Sequence, residues 1–118
     1  VLGHIFKHGI EKVTFLTGDM HNSYHAEMTL KKGDKTIRIN ELMSSPLNQI
    51  QKTSPGRYRP ERNKKSKGDK FSYSSAIKKF YNDHSNAMLV TVDGNKVDYE
   101  IFRTRKLRRK ESADSFVV

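Results

Sequence analysis

Three features of the sequence predict an α+β fold of antiparallel β-hairpins with short helices. Residues 24–43 and 88–101 each alternate apolar and polar side chains on either side of a glycine turn, the pattern of half-buried paired strands. A β-branched and aromatic run, Lys12 to Thr17, precedes the first hairpin. Short helical spacings flank the hairpins, and 118 residues with 34% hydrophobic side chains hold one modest core.

Each element has its own warrant. Leu2, Ile5 and Phe6 share a helical face, and Gly9 stands where a helix over residues 1–8 would end. Lys12 to Thr17 reads as a strand that Gly18-Asp19 breaks. In the first hairpin Tyr24, Ala26, Met28 and Leu30 alternate with His25, Glu27, Thr29 and Lys31. Lys32-Gly33-Asp34 turns the chain, and Thr36 to Met43 returns it with Ile37 and Ile39 on one face. Ser45-Pro46 predicts a short helix to Gln51, because Ser supplies a capping oxygen and Pro lacks only an N–H that the first turn leaves unpaired.

Residues 52–74 hold Pro55, Gly56, Pro60 and Gly68 among many charges, which predicts a long exposed loop. Ser75 to Tyr81 is expected to form a short helix with Ala76, Ile77 and Phe80 on its apolar side. In the second hairpin Met88, Val90 and Val92 run into Asp93-Gly94-Asn95, and Val97, Tyr99 and Ile101 return. Beyond Phe102 the alternation ends. A frayed polar terminus is the expectation, with Phe116-Val117-Val118 adding to a partner's sheet edge as the alternative. The organisation is thus 1–51, a basic insertion with a short helix at 52–85, a hairpin at 86–104, and a basic and polar tail at 105–118.

Composition narrows the chemistry. Cysteine is absent, which excludes disulfides, thiolate metal sites and thiol nucleophiles from this stretch. No apolar run approaches the roughly 18 residues of a membrane-spanning helix. The net charge of +10 is uneven. Residues 52–80 carry ten basic against two acidic groups, and residues 103–110 add six basic groups without an acid. The remainder holds seven basic and eleven acidic groups, a net of −4. The chain therefore reads as a mildly acidic scaffold bearing a basic loop and a basic tail.

The most informative stretch is Leu16-Thr17-Gly18-Asp19-Met20-His21-Asn22-Ser23. Asp19 and His21 are two apart, so an extended backbone turns both to one side. A carboxylate and an imidazole there could face one metal ion or two adjacent ones, and that donor pair suits zinc, manganese or iron. Gly18 would allow close backbone approach or positive φ. The plain alternative is a turn after a strand. His25 lies on the hairpin face opposite Tyr24, as a solvent-facing or supporting residue rather than a ligand. His84 falls in a polar stretch, and no serine sits in a nucleophile-elbow context. Arg57, Arg59, Arg62, Lys64 and Lys65 are candidate polyanion contacts, interleaved with Tyr58, Phe71 and Tyr73 for base stacking.

Over a longer span the sequence resembles a known family. Val13 to Ser23, then Ala26-Glu27-Met28, then Glu41-Leu42-Met43-Ser44-Ser45-Pro46-Leu47, are similar to the last metal-binding motif and following stretch of alkaline phosphatase D-like proteins, calcineurin-like metallophosphoesterases. Ala87 to Arg103 is similar to that family's final strand pair. The resemblance covers residues 1–50 and 86–104. It implies part of an αββα sandwich and a two-metal phosphatase or phosphodiesterase, with manganese, iron, zinc or calcium as metal and a phosphate ester as substrate. Asp19 and His21 would be the metal ligands and catalytic residues, with Asn22, Ser23 and His25 as supporting or substrate-contacting candidates. The family's earlier motifs, an Asp pair, an Asn-His and a further His, have no counterpart here. The chain opens on Val1, and the resemblance implies a C-terminal portion whose partner is the missing N-terminal part. Two ligands are too few for a tight site, so the 118 residues alone are expected to hold no catalytic metal and hydrolyse nothing. The rival readings are a small basic β-rich module that binds nucleic acid or another polyanion, and a structural remnant.

Overall fold

The computed structural model describes residues 1–18, 23–44, 61–65, 72–82, 85–103 and 110–118, with 61–65, 80–82, 110 and 111 described by backbone only. Among the described residues it is mostly β, with two sheets and one short helix. In chain order the elements are α1 (Leu2–Lys7), β1 (Lys12–Thr17), β2 (Ser23–Lys32), β3 (Lys35–Met43), β4 (Glu61–Lys65), β5 (Ser72–Asn82), β6 (Asn86–Asp93), β7 (Lys96–Arg103) and β8 (Lys110–Val117). The first sheet has the order β1-β3-β2-β5-β4, and the second β6-β7-β8. Every pairing is antiparallel except β1 with β3.

The expected first helix, first strand and both hairpins are present. Helix α1 stops as its glycine requires. Gly9 adopts φ of 62°, its N–H reaches the Phe6 carbonyl, and the Ile10 N–H reaches the Ile5 carbonyl at 3.0 Å. These paired bonds satisfy carbonyls that the helix end would leave bare. Gly33 opens the two-residue turn between β2 and β3 with φ of 58°, a conformation that costs a side-chain-bearing residue.

Strand alternation gives the first sheet two different faces. Leu30, Ile37 and Ile39 lie on one face and pack with Ile5 and Phe6 of α1, flanked by Leu2, Val13, Phe15 and Met28. Leu42 has the opposite parity and packs with Val97 and Tyr99 of β7. The helix therefore covers one face and the second sheet covers the other.

Three expectations are corrected. Residues 61–65 and 72–74 are strands rather than exposed loop, because β4 pairs with β5 and β5 pairs with β2. Ser75 to Tyr81 belongs to β5 and is not a helix. Ala26 and Tyr24 stand opposite Ile77 and Phe80, so three residues of β5 span two of β2. This bulge sets apolar residues three apart and imitates a helical period. The terminus does not fray. Its strand β8 pairs with β7 from Lys96↔Val117 to Phe102↔Lys110, so Phe116 and Val117 extend this chain's own sheet rather than a partner's. Phe116 and Val118 pack beside Val97 and Tyr99. The helix expected from Pro46 to Gln51 lies outside the described residues.

Candidate functional site

Four strand ends meet at one edge of the sandwich. β1 and β3 end there and run parallel, so the Thr17 and Met43 termini stand side by side. The Ser44 N–H extends this pairing by donating to the Thr17 carbonyl at 3.1 Å. β2 starts there with Ser23, and β6 starts there with Asn86. Ser23 is fully buried and Asn86 is 1% exposed. The Ser23 hydroxyl donates to Asn86 Oδ1 at 2.6 Å, and the Ser44 hydroxyl donates to the same oxygen at 2.8 Å. One carboxamide oxygen thus gathers side chains from both sheets. On the opposite face of the first sheet at this edge, the Thr17 hydroxyl donates to Glu41 Oε1 at 2.8 Å.

His25 lies deeper between the sheets. It is buried, and its Nε2 is 2.9 Å from Asn40 Oδ1, to which the Nε2–H tautomer donates. Its ring stacks on Phe116 at 4.5 Å with planes 18° apart, and meets the Tyr99 ring edge-on at 5.9 Å. The expectation of a solvent-facing His25 is corrected, because the second sheet covers the face that the hairpin pattern left open.

Gly18 follows β1 without positive φ, and an added Cβ would lie an ordinary 3.7 Å from the Ser44 carbonyl oxygen. Among the described residues, then, no contact at Gly18 calls for the absence of a side chain. Asp19, His21 and Asn22 lie outside the described residues, as do His84, Arg57 and Arg59. Arg62, Lys64 and Lys65 fall on the edge strand β4 at register positions opposite Ser75, Tyr73 and Ser72, rather than on a loop. His4 on α1 and His8 at its C-cap have ring centroids 4.2 Å apart and are both exposed. Among the described residues no group of three or more His, Cys, Asp or Glu side chains could hold a metal ion.

The sequence reasoning missed Asn86 and Asn40. Asparagine is depleted in strands, so Asn40 inside the return strand of the first hairpin is a signal that could have marked a buried hydrogen-bonding position, whereas Asn86 precedes the alternation that begins at Met88 and offered none. Compared with family models, curated proteins and solved structures, the chain matches none.

Proposed function

We propose that the chain is the C-terminal portion of a metal-dependent phosphoesterase of the alkaline phosphatase D-like kind, with Asp19 and His21 as metal ligands. The observation that carries this reading is the run Gly18-Asp19-Met20-His21-Asn22-Ser23, which connects the end of β1 to the start of β2. A connection at the polar edge of a two-sheet stack is where a rigid scaffold presents functional groups. The layer order of helix, sheet and sheet also supports it, since an αββα sandwich holds these three layers in sequence.

The donor chemistry of Asp19 and His21 fits divalent ions, while the described residues add no further cluster of ligands. A bound metal pair supplies charge neutralisation on the phosphate ester and an activated water. The chain's own residues would orient that chemistry: Asp19 presents a carboxylate, His21 an imidazole nitrogen, and buried Ser23 fixes where the connection enters β2.

The test is manganese-dependent hydrolysis of p-nitrophenyl phosphate and its bis ester by the protein extended with its upstream sequence. Asp19→Ala and His21→Ala should each lower the rate by orders of magnitude with little change in melting temperature. The 118 residues alone should turn over neither ester. Wild-type rates in both variants, or full activity of the 118 residues, would sink the reading. The polyanion-binding alternative draws support from β4, an edge strand bearing Arg62, Lys64 and Lys65. It requires oligonucleotide affinity that falls steeply with salt and that Asp19→Ala leaves unchanged.

A further inference from the structure

We infer that Asn86 is a positioning residue whose side-chain oxygen holds both ends of the connection between β1 and β2. This inference rests on the phosphoesterase reading for its functional meaning, because that connection carries Asp19 and His21. The geometry stands independently. The connection leaves β1 at Thr17-Gly18, where the Thr17 carbonyl accepts the Ser44 N–H. It enters β2 at Ser23. Ser44 and Ser23 both donate their hydroxyls to Asn86 Oδ1, at 2.8 and 2.6 Å. A chain of hydrogen bonds therefore runs Thr17–Ser44–Asn86–Ser23 and joins the departure point to the entry point.

The two donors come 42 and 63 residues away in sequence from the residue they meet. An amide oxygen has two acceptor sites, and these hydroxyls match that capacity. A short connection pinned at both ends keeps fewer conformations than one held at a single end. Buried satisfied networks of this kind fix geometry. Outer residues that orient metal ligands act in the same manner.

A tie that merely glued the sheets together would be redundant. The sheets are already joined by Leu42 against Val97 and Tyr99, and by His25 against Phe116. The Lys79–Asp114 ion pair and the Lys12–Asn95 hydrogen bond join them again at other points. What Asn86 adds is local definition of the strand ends.

The experiment compares hydrogen exchange in the full chain for the wild type, Asn86→Leu and Asn86→Asp. Leucine keeps the volume and removes the acceptor, whereas aspartate keeps an oxygen for both hydroxyls. The Ser23 and Ser44 amides of Asn86→Leu should exchange on the order of tenfold faster, as local opening does, while Leu30 and Tyr99 stay at wild-type rates. Asn86→Asp should return Ser23 and Ser44 towards wild type. Ser44→Ala, which removes one donor only, should give the same local pattern in weaker form and serves if Asn86→Leu does not fold. Unchanged exchange at Ser23 and Ser44, or acceleration spread evenly over both sheets, overturns the inference. Manganese titration of the protein extended with its upstream sequence, wild type against Asp19→Ala, judges the phosphoesterase reading separately. In that extended protein Asn86→Leu should weaken manganese binding by about tenfold.

Discussion

The two faces of the first sheet are built from different materials. Against α1 the buried contact is apolar, where Ile5 and Phe6 meet Leu30, Ile37 and Ile39, with the Lys32 and Lys35 ammonium groups 5.8 Å from the Phe6 ring centroid at its rim. Against the second sheet, Leu42, Val97 and Tyr99 share the layer with buried Ser23, His25, Asn40 and Asn86. Apolar contact is non-directional and tolerates small shifts of one layer over another. Hydrogen bonds between buried groups do not, since a slip leaves donors and acceptors unpaired at a cost. The helix face is therefore held by apolar burial, and the buried polar groups of the sheet–sheet face decide which strand ends come together.

The comparison predicts its largest effect on the helix side. Leu30 has no exposed surface, so Leu30→Ala should destabilise the chain by about 2–5 kcal/mol through lost burial and a residual cavity. Urea unfolding gives the value. The exchange rates of Ser23 and Ser44 relative to global unfolding should not change. A loss below that of the polar variant described next would reverse the assignment of roles.

A smaller effect is expected between the sheets. Asn40→Leu removes the acceptor of His25 and leaves a buried ring nitrogen without its partner, which costs about 1–3 kcal/mol. Adding His25→Phe should recover part of that loss, because the double variant no longer buries an unpaired polar atom. The two substitutions should therefore be non-additive in a double-mutant cycle. Additive losses would mean that the His25–Asn40 bond does not set the geometry of this layer.

Legibility followed the same division. The apolar faces of both hairpins could be read from alternation alone, as could α1, whose glycine stop depends only on neighbouring residues. β4 and β8 could not. Glu61-Arg62-Asn63-Lys64-Lys65 has no apolar side chain, and β8 offers just Ala113 before Phe116 and Val117. Such strands form because a neighbour supplies the ladder, and a single sequence does not reveal the neighbour. The bulge in β5 hid a strand behind a helical spacing. At the candidate site, the run from Gly18 to Ser23 is proposed from residue types alone, whereas the bond from Ser23 to Asn86 could not be read at all. That bond is a contact across 63 residues, and local sequence carries no trace of such a distance.

The smallest predicted effect concerns the pair Lys79–Asp114, which joins β5 to β8 across the two sheets. The side chains are 54% and 25% exposed, so water and salt weaken their attraction. Asp114→Asn should cost no more than about 1 kcal/mol, and the difference from wild type should shrink as ionic strength approaches about 1 M. Phe116, stacked on His25, is the apolar anchor of the same strand. If β8 is held by Phe116 and the ladder to β7, Asp114→Asn leaves exchange along β8 near wild type even at low salt. If the ion pair holds it, β8 amides exchange faster at every salt concentration at which Lys79 would have found its partner. The first outcome is expected, because a half-exposed ion pair contributes less than the partly buried Phe116 stacked on buried His25. It would also assign the apolar contribution to sheet–sheet adhesion to Leu42, Val97 and Tyr99 with the partly buried side chains packed against them, Phe116 among them, leaving the buried polar groups to specify alignment.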